Sequence, residues 1–255
     1  MQDILKSENL SIDFGGHRAV NQVTMAIQEK KFTSVIGPNG AGKTTLFNLL
    51  SGQLSPSEGR IFHKGSDITS LSPAERARLG IGRSFQITNV FPNLTVLENV
   101  RLAVQSQQKV RYQIFAHYKH YKSMKEKAMS LLEVVLLKEK AETIAVNLAH
   151  GEKRKLEIAM LLALETDVLL LDEPTAGMSI EEVPAILEVI RKIKQQGDQT
   201  IVLIEHKIDM ILDLSDEVLV LFHGELLAQG SPEEIMENET VQSAYLGGLY
   251  DEHLA

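Results

Sequence analysis

The stretch Gly37-Pro38-Asn39-Gly40-Ala41-Gly42-Lys43-Thr44-Thr45 sets a lysine and two hydroxyls directly behind closely spaced glycines. Glycine lets a backbone curl around a ligand with no Cβ in the way. The N–H groups of Gly40 to Thr45 can then point inward as an anion nest. A short β-type run, Phe32-Thr33-Ser34-Val35-Ile36, stands before the stretch, and a helix-forming run, Thr45-Leu46-Phe47-Asn48-Leu49-Leu50, follows it. Strand, glycine turn and helix are the setting in which G-x-x-x-x-G-K-[ST] cradles phosphates. The helix that begins there adds its positive end. Lys43 supplies a cation for β- and γ-phosphates, and the Thr44 hydroxyl is a ligand for Mg²⁺.

A second polar pair, Asp172-Glu173, closes the apolar run Val168-Leu169-Leu170-Leu171. Carboxylates that follow a buried parallel strand lie at the carboxyl edge of the sheet, where α/β proteins bind ligands. The glycine stretch also follows a strand, so the two are expected to meet on one edge. Asp172 then belongs to the Mg²⁺ shell, directly or through water. Glu173 faces another direction, where it orients or deprotonates an attacking water. His206 follows a further buried run, Ile201 to Ile204, and can approach the same edge. Taken alone it reads as either a structural or a catalytic histidine. Phe14, ahead of the glycine stretch, reads as a core or edge aromatic or as a surface on which a base stacks.

The elements that must position these groups are legible in outline. Leu10, Ile12 and Phe14 alternate with polar residues, as do Val23, Met25 and Ile27, which predicts an antiparallel layer turning at Gly15-Gly16. Ser72-Pro73-Ala74-Glu75, Thr95-Val96-Leu97-Glu98, Ser179-Ile180-Glu181-Glu182 and Ser231-Pro232-Glu233-Glu234 each predict a capped helix start. Residues 88–160 read as an all-helical insert, and the αβ alternation resumes at Thr166. The expected fold is α/β, a mostly parallel sheet core with an antiparallel β layer and an inserted α-helical subdomain. Residues 1–87 and 161–255 are expected to form the core, and residues 88–160 the insert.

Composition narrows the classes. The chain has 255 residues, 44% of them hydrophobic, which is ample for a core. Its formal net charge of -8 argues against broad nucleic-acid binding. The basic, tyrosine-containing stretch from Lys109 to Lys127 is therefore read as a solvated helix pair. The chain contains no cysteine, which excludes a disulfide framework, a thiol nucleophile and a Cys-type zinc site. Its start lacks a signal-peptide pattern, and its apolar runs are too short to span a bilayer, so any membrane role is expected to come through a partner.

With these motifs in place the chain resembles the ATPase subunit of ATP-binding cassette (ABC) transporters, which implies a RecA-like P-loop NTPase core. Gly37 to Thr45 matches the family's Walker A motif, and Leu169 to Pro174 its Walker B with catalytic glutamate. Gln86 matches the Q-loop, Ala176-Gly177-Met178 the D-loop and His206 the switch histidine. Phe14 falls where the family stacks an aromatic on adenine. Leu148-Ala149-His150-Gly151-Glu152 falls at the signature motif, usually Leu-Ser-Gly-Gly-Gln. Ile81 to Gln86, Leu156 to Ala159, Thr175 to Met178 and Ala244 to Gly247 resemble one subfamily. That subfamily energises import of branched-chain and other hydrophobic amino acids, with urea and amide importers nearby.

The resemblance implies ATP and Mg²⁺ as ligands. Thr44, Gln86 and Asp172 would surround the metal, and Glu173, His206, Lys43 and Gln86 would carry hydrolysis. It implies a head-to-tail pair of cassettes, in which Ala149, His150, Gly151 and Glu152 of one meet the nucleotide of the other. The implied partners are transmembrane permease subunits and, indirectly, a periplasmic or extracellular solute-binding protein, with the chain at the cytoplasmic face of the membrane. The region from Gln86 to Glu98 is the expected docking groove. Ala149 departs from the pattern by lacking the serine hydroxyl, so the signature half-site is expected to be weakened. A guanine reader would want Asn-Lys-x-Asp, which the sequence lacks.

Overall fold

The computed structural model describes residues 2–84, 90–108, 117–206 and 208–246. Its strands are β1 (Asp3–Phe14), β2 (His17–Gln28), β3 (Phe32–Ile36), β4 (Glu58–His63), β5 (Ser66–Asp67), β6 (Ile81–Arg83), β7 (Val168–Asp172), β8 (Thr200–Ile204), β9 (Glu217–Phe222) and β10 (Glu225–Gly230). Its main helices are α1 (Lys43–Leu50), α2 (Pro73–Arg78), α3 (Val96–Gln107), α4 (His117–Val134), α5 (His150–Ala163), α6 (Val183–Gln196), α7 (Ile208–Leu214) and α8 (Pro232–Glu237). The chain forms two compact units. One holds residues 1–81, 168–173 and 198–255; the other holds residues 82–167 and 174–197. The segment 174–197, expected in the core, thus clusters with the helical unit.

In the first unit β1 pairs with β2 and β4, and β4 with β5, all antiparallel, in the order β2-β1-β4-β5. The β4–β5 turn is Lys64-Gly65, with φ of 49° and 77°. Left-handed geometry at both central residues matches the twist of a two-residue hairpin. The second sheet runs β10-β9-β3-β8-β7, with Ile81 opening β6 at the outer edge. Its β7–β8, β3–β8 and β3–β9 pairs are parallel, and β9–β10 is antiparallel. Every residue of β3, β7 and β8 is buried, as expected of central parallel strands covered on both faces.

Helix α1 lies in the core of this unit. Leu46, Phe47, Leu49 and Leu50 join one apolar cluster with Leu5, Leu10 and Ile27 of the antiparallel layer and Val35, Leu170 and Val202 of the parallel sheet. Its last carbonyls find an unusual donor, the buried guanidinium of Arg76 on α2. Arg76 Nη1 donates to the carbonyls of Leu49 and Leu50 at 2.5 and 3.0 Å, Nη2 to that of Thr69 at 2.9 Å and Nε to that of Leu71 at 3.1 Å.

The predicted caps separate on inspection. Ser72 and Ser231 form complete capping boxes with Glu75 and Glu234. Thr95 accepts the Glu98 N–H at 3.1 Å, but the Glu98 carboxylate does not return to the cap. Arg101 holds it at 2.8 Å and the Tyr121 hydroxyl donates to it at 3.1 Å. Ser179 to Glu182 form a turn before the regular helix. The Glu182 N–H bonds the Ser179 carbonyl at 3.0 Å rather than its hydroxyl, and α6 begins at Val183, with Pro184 in its first turn. In the second unit α3, α4 and α5 pack together, and Val96 and Leu97 donate N–H bonds to Thr143 and Ala141.

Candidate functional site

The first unit carries the phosphate-loop residues, both carboxylates and the histidine. β3 ends at Ile36 and the chain leaves it through Gly37. A Cβ at Gly37 would stand 2.1 Å from the Leu221 carbonyl oxygen, and one at Gly42 2.5 Å from that of Ala19. Gly42, with φ 97°, is the N-cap of α1 and offers no side-chain cap. Helix geometry leaves the N–H groups of Lys43, Thr44 and Thr45 without intrahelical acceptors, aimed out of the helix start. Pro38 lies half-buried while Asn39 and Gly40 are exposed, so the loop has an open side.

Lys43 is 6% exposed, and its Nζ donates to the carbonyls of Gly37 at 2.7 Å and Pro38 at 3.0 Å. Burial pulls its pKa below the ordinary lysine value, while the charges of Glu173 and Asp172 act in the opposite sense. Val35 of β3 and Asp172 of β7 both pair with Ile204 of β8 in parallel register, so the glycine loop and the acidic pair leave the sheet at the same end. Asp172 closes β7 fully buried. Glu173 turns away at φ 44°, a left-handed value uncommon for a residue with a Cβ. Its N–H is anchored to the Ile204 carbonyl at 3.0 Å. Its Oε1 lies 2.9 Å from His206 Nε2. Buried Glu205, which sequence reasoning missed, accepts the His206 backbone N–H at 3.0 Å. Its only signal was a carboxylate directly after a buried strand.

Phe14 ends β1 opposite His17 and is 46% exposed, an aromatic face open to solvent rather than a core residue. Gln86 lies outside the described residues.

The signature segment belongs to the second unit. Ala149 is the N-cap of α5 and has no oxygen to cap with. Glu152 Oε2 accepts the Ala149 N–H at 3.1 Å, and Lys140 forms an ion pair with the same carboxylate. Burial alone would raise the Glu152 pKa; the Lys140 ammonium and the Ala149 N–H bring it below its ordinary value. His150 is exposed and Gly151 buried. The Gly151 N–H donates to Glu182 Oε1 at 3.3 Å, a contact sequence reasoning did not foresee. The same unit has a groove of about 400 Å³ whose apolar lining is Phe91, Leu102, Ala103, Met160, Leu161 and Leu164, with Arg83, Ser84, Ser106 and Glu157 lining it as well.

A family model described as ABC transporter matches residues 20–176, more than half of the chain. The chain belongs to the ABC transporter family. As an ATP-binding cassette of that family it is an ATPase. A second model, Branched-chain amino acid ATP-binding cassette transporter, matches residues 225–251. The cassette is 38% identical over 253 residues to the high-affinity branched-chain amino acid transport ATP-binding protein LivG of Salmonella typhimurium, across 96% of this chain and 98% of that one. It is 37% identical over 249 residues to BraF of Pseudomonas aeruginosa, with the same coverages. Among solved structures it resembles the ADP conformation of an ATP-binding cassette of an ABC transporter. There the TM-score is 0.80 at 29% identity, covering 97% of this chain and 100% of that one. A dimeric bacterial ABC transporter cassette gives 0.75 at 25% identity, covering 90% and 99%.

Proposed function

We infer that this cassette energises import of branched-chain or other hydrophobic amino acids by binding and hydrolysing Mg-ATP between two head-to-tail cassettes. What supports the reading is that Lys43, Asp172, Glu173 and His206 belong to one unit, where β3, β8 and β7 run parallel, Glu173 Oε1 lies 2.9 Å from His206 Nε2, and the start of α1 is uncapped. The relatives named for branched-chain amino acid transport over nearly the whole chain support the cargo class.

In this reading Phe14 stacks on adenine, and Gly37, Pro38, Asn39, Gly40, Ala41, Gly42, Thr45 and Lys43 hold the phosphates. The donor chemistry fits a hard divalent cation, which the Thr44 hydroxyl, the Gln86 amide oxygen and the buried Asp172 carboxylate would hold, directly or through water. When bound, Mg²⁺ supplies positive charge to the phosphate oxygens. Glu173 accepts a hydrogen bond from the attacking water and takes its proton. His206 holds the Glu173 carboxylate in place and contacts the γ-phosphate. Such a reaction needs positioning and charge stabilisation far more than covalent help.

Ala149, His150, Gly151 and Glu152 face the second cassette's nucleotide, so ATP favours the closed pair and hydrolysis releases it. Among the described residues no helix is long and apolar enough to cross a membrane. A permease subunit at the cytoplasmic face of the membrane would seat a cytoplasmic helix in the apolar groove, and a solute-binding protein would deliver cargo from the other side.

The deciding experiment is reconstitution with a branched-chain amino acid permease and its solute-binding protein from the same organism. Leucine-loaded binding protein should stimulate ATP hydrolysis, and Leu161→Glu should abolish co-purification with the permease. Stimulation by urea or short amides in place of leucine would overturn the cargo class, and Mg-ATP turnover that ignores every binding protein would overturn the transport reading.

A further inference from the structure

α5 is a full helix of 14 residues whose N-cap cannot cap. Helix geometry leaves the N–H groups of its first turn in want of acceptors. The Gly151 N–H finds one in the carboxylate of Glu182, 31 residues further along the chain, at 3.3 Å. The other oxygen of that carboxylate, Oε2, accepts the Ser179 N–H at 3.2 Å, with the Ser179 hydroxyl at 3.5 Å. An anion therefore already sits against the positive end of the signature helix, bridged to the segment that precedes α6. A Cβ at Gly151 would come within 3.1 Å of Glu182 Oε1, so glycine at this position leaves the carboxylate the room that a side chain would narrow.

We propose that Glu182 is an intramolecular stand-in for phosphate at the first turn of α5 and must withdraw before Gly151 can meet ATP held by a second copy. The inference rests on the head-to-tail pairing of the preceding section. A single N–H cannot serve two anions well, and a carboxylate and a phosphate at one helix end repel each other. Withdrawal also frees the Ser179 N–H, so arrival of the phosphate is felt at residues 179–182. In the unpaired cassette the Glu182 carboxylate holds the signature turn in shape and sets a threshold that nucleotide must exceed.

Glu182→Gln keeps the size and an oxygen acceptor and removes the charge. In a Glu173→Gln background, where pairs accumulate, pair formation is followed by light scattering against Mg-ATP concentration. The half-maximal concentration should fall about fivefold, the scale of one carboxylate at a helix N-terminus. An unchanged or raised concentration overturns the proposal, including the case in which Glu182 is only a structural cap. Should the Glu173→Gln cassette stay monomeric at saturating Mg-ATP, the pairing fails instead. Glu182 is then decided by the Gly151 amide resonance under titration with inorganic phosphate. A shift at lower phosphate in Glu182→Gln than in the parent sustains the stand-in role, and equal titrations overturn it.

Discussion

Oε1 of Glu173 and Nε2 of His206 stand 2.9 Å apart although 33 residues separate them in the chain. Each is fixed through backbone. The Glu173 N–H is tied to Ile204, at the end of the neighbouring strand, and the His206 N–H to buried Glu205. The left-handed φ of Glu173 is the kind of local strain that persists only where the surroundings over-determine it. The pair should act as a unit. Glu173→Gln should bind ATP with near-parental affinity and lose about 10²–10⁴-fold in turnover, the range for a general base. Adding His206→Ala should cost little more, because residues that work together are not additive. Phosphate release by the two single variants and the double variant measures this. Parental turnover in Glu173→Gln would remove the assigned base.

Lys43 makes a pH dependence with a definite sign. Burial disfavours the ammonium, so the free cassette loses this proton below the ordinary lysine value of 10.5. Bound phosphates favour the charged form and raise the pKa again. Between the free and bound values, binding must take up a proton. ATP affinity should therefore fall with rising pH, starting below 10.5, and calorimetry in buffers of different ionisation enthalpy should show net uptake. Lys43→Ala should abolish binding at every pH. A flat alkaline profile would remove Lys43 as the phosphate cation.

The burial of Arg76 has a stability consequence. Arg76 is 1% exposed, and its guanidinium satisfies four carbonyls, two of them at the end of the phosphate-loop helix. Arg76→Met keeps most of the volume and strands those acceptors. The expected loss is about 3 kcal/mol, since a buried polar group without its partner costs 1–3 kcal/mol and relaxation recovers part of the sum. For a chain of this size that lowers Tm by roughly 6–12 °C. Arg76→Lys should recover only part, as a single ammonium cannot span the same fork of acceptors.

What the sequence could and could not disclose follows one physical line. Period-two alternation around Leu10 and Val23 and the apolar runs Val168–Leu171 and Ile201–Ile204 are local, and they read correctly. The Ser72 and Ser231 boxes close within four residues and read correctly too. Glu98 misled because its carboxylate is taken by Arg101 and by Tyr121 of another helix. Arg76 sits in Ala74-Glu75-Arg76-Ala77-Arg78, which looks like any solvated helix, and its acceptors come from α1. The Glu173–His206 and Gly151–Glu182 contacts likewise join segments more than 30 residues apart. A motif shows which chemistry is available; only the fold shows which acceptor reaches which donor.

Ala149 offers the last test, because here the sequence pattern and the geometry pull in different directions. A serine at this N-cap would add a hydroxyl toward the first-turn amides, and on a bare helix end such a cap contributes about 1 kcal/mol. In this cassette Glu182 and Glu152 already engage the Gly151 and Ala149 amides. The stability gain of Ala149→Ser should therefore be small, a few tenths of a kcal/mol, with a Tm shift under about 1 °C. The effect on pairing should be larger. A hydroxyl that donates to a charged phosphate is worth roughly 1.5–3 kcal/mol, so ATP-driven pairing should tighten by at least tenfold while monomer stability barely moves. Denaturation and light scattering on the same protein separate the two. If pairing and turnover both stay at the parental level, the missing hydroxyl is not a weakness of this half-site, and the carboxylates around the turn have already made good its absence.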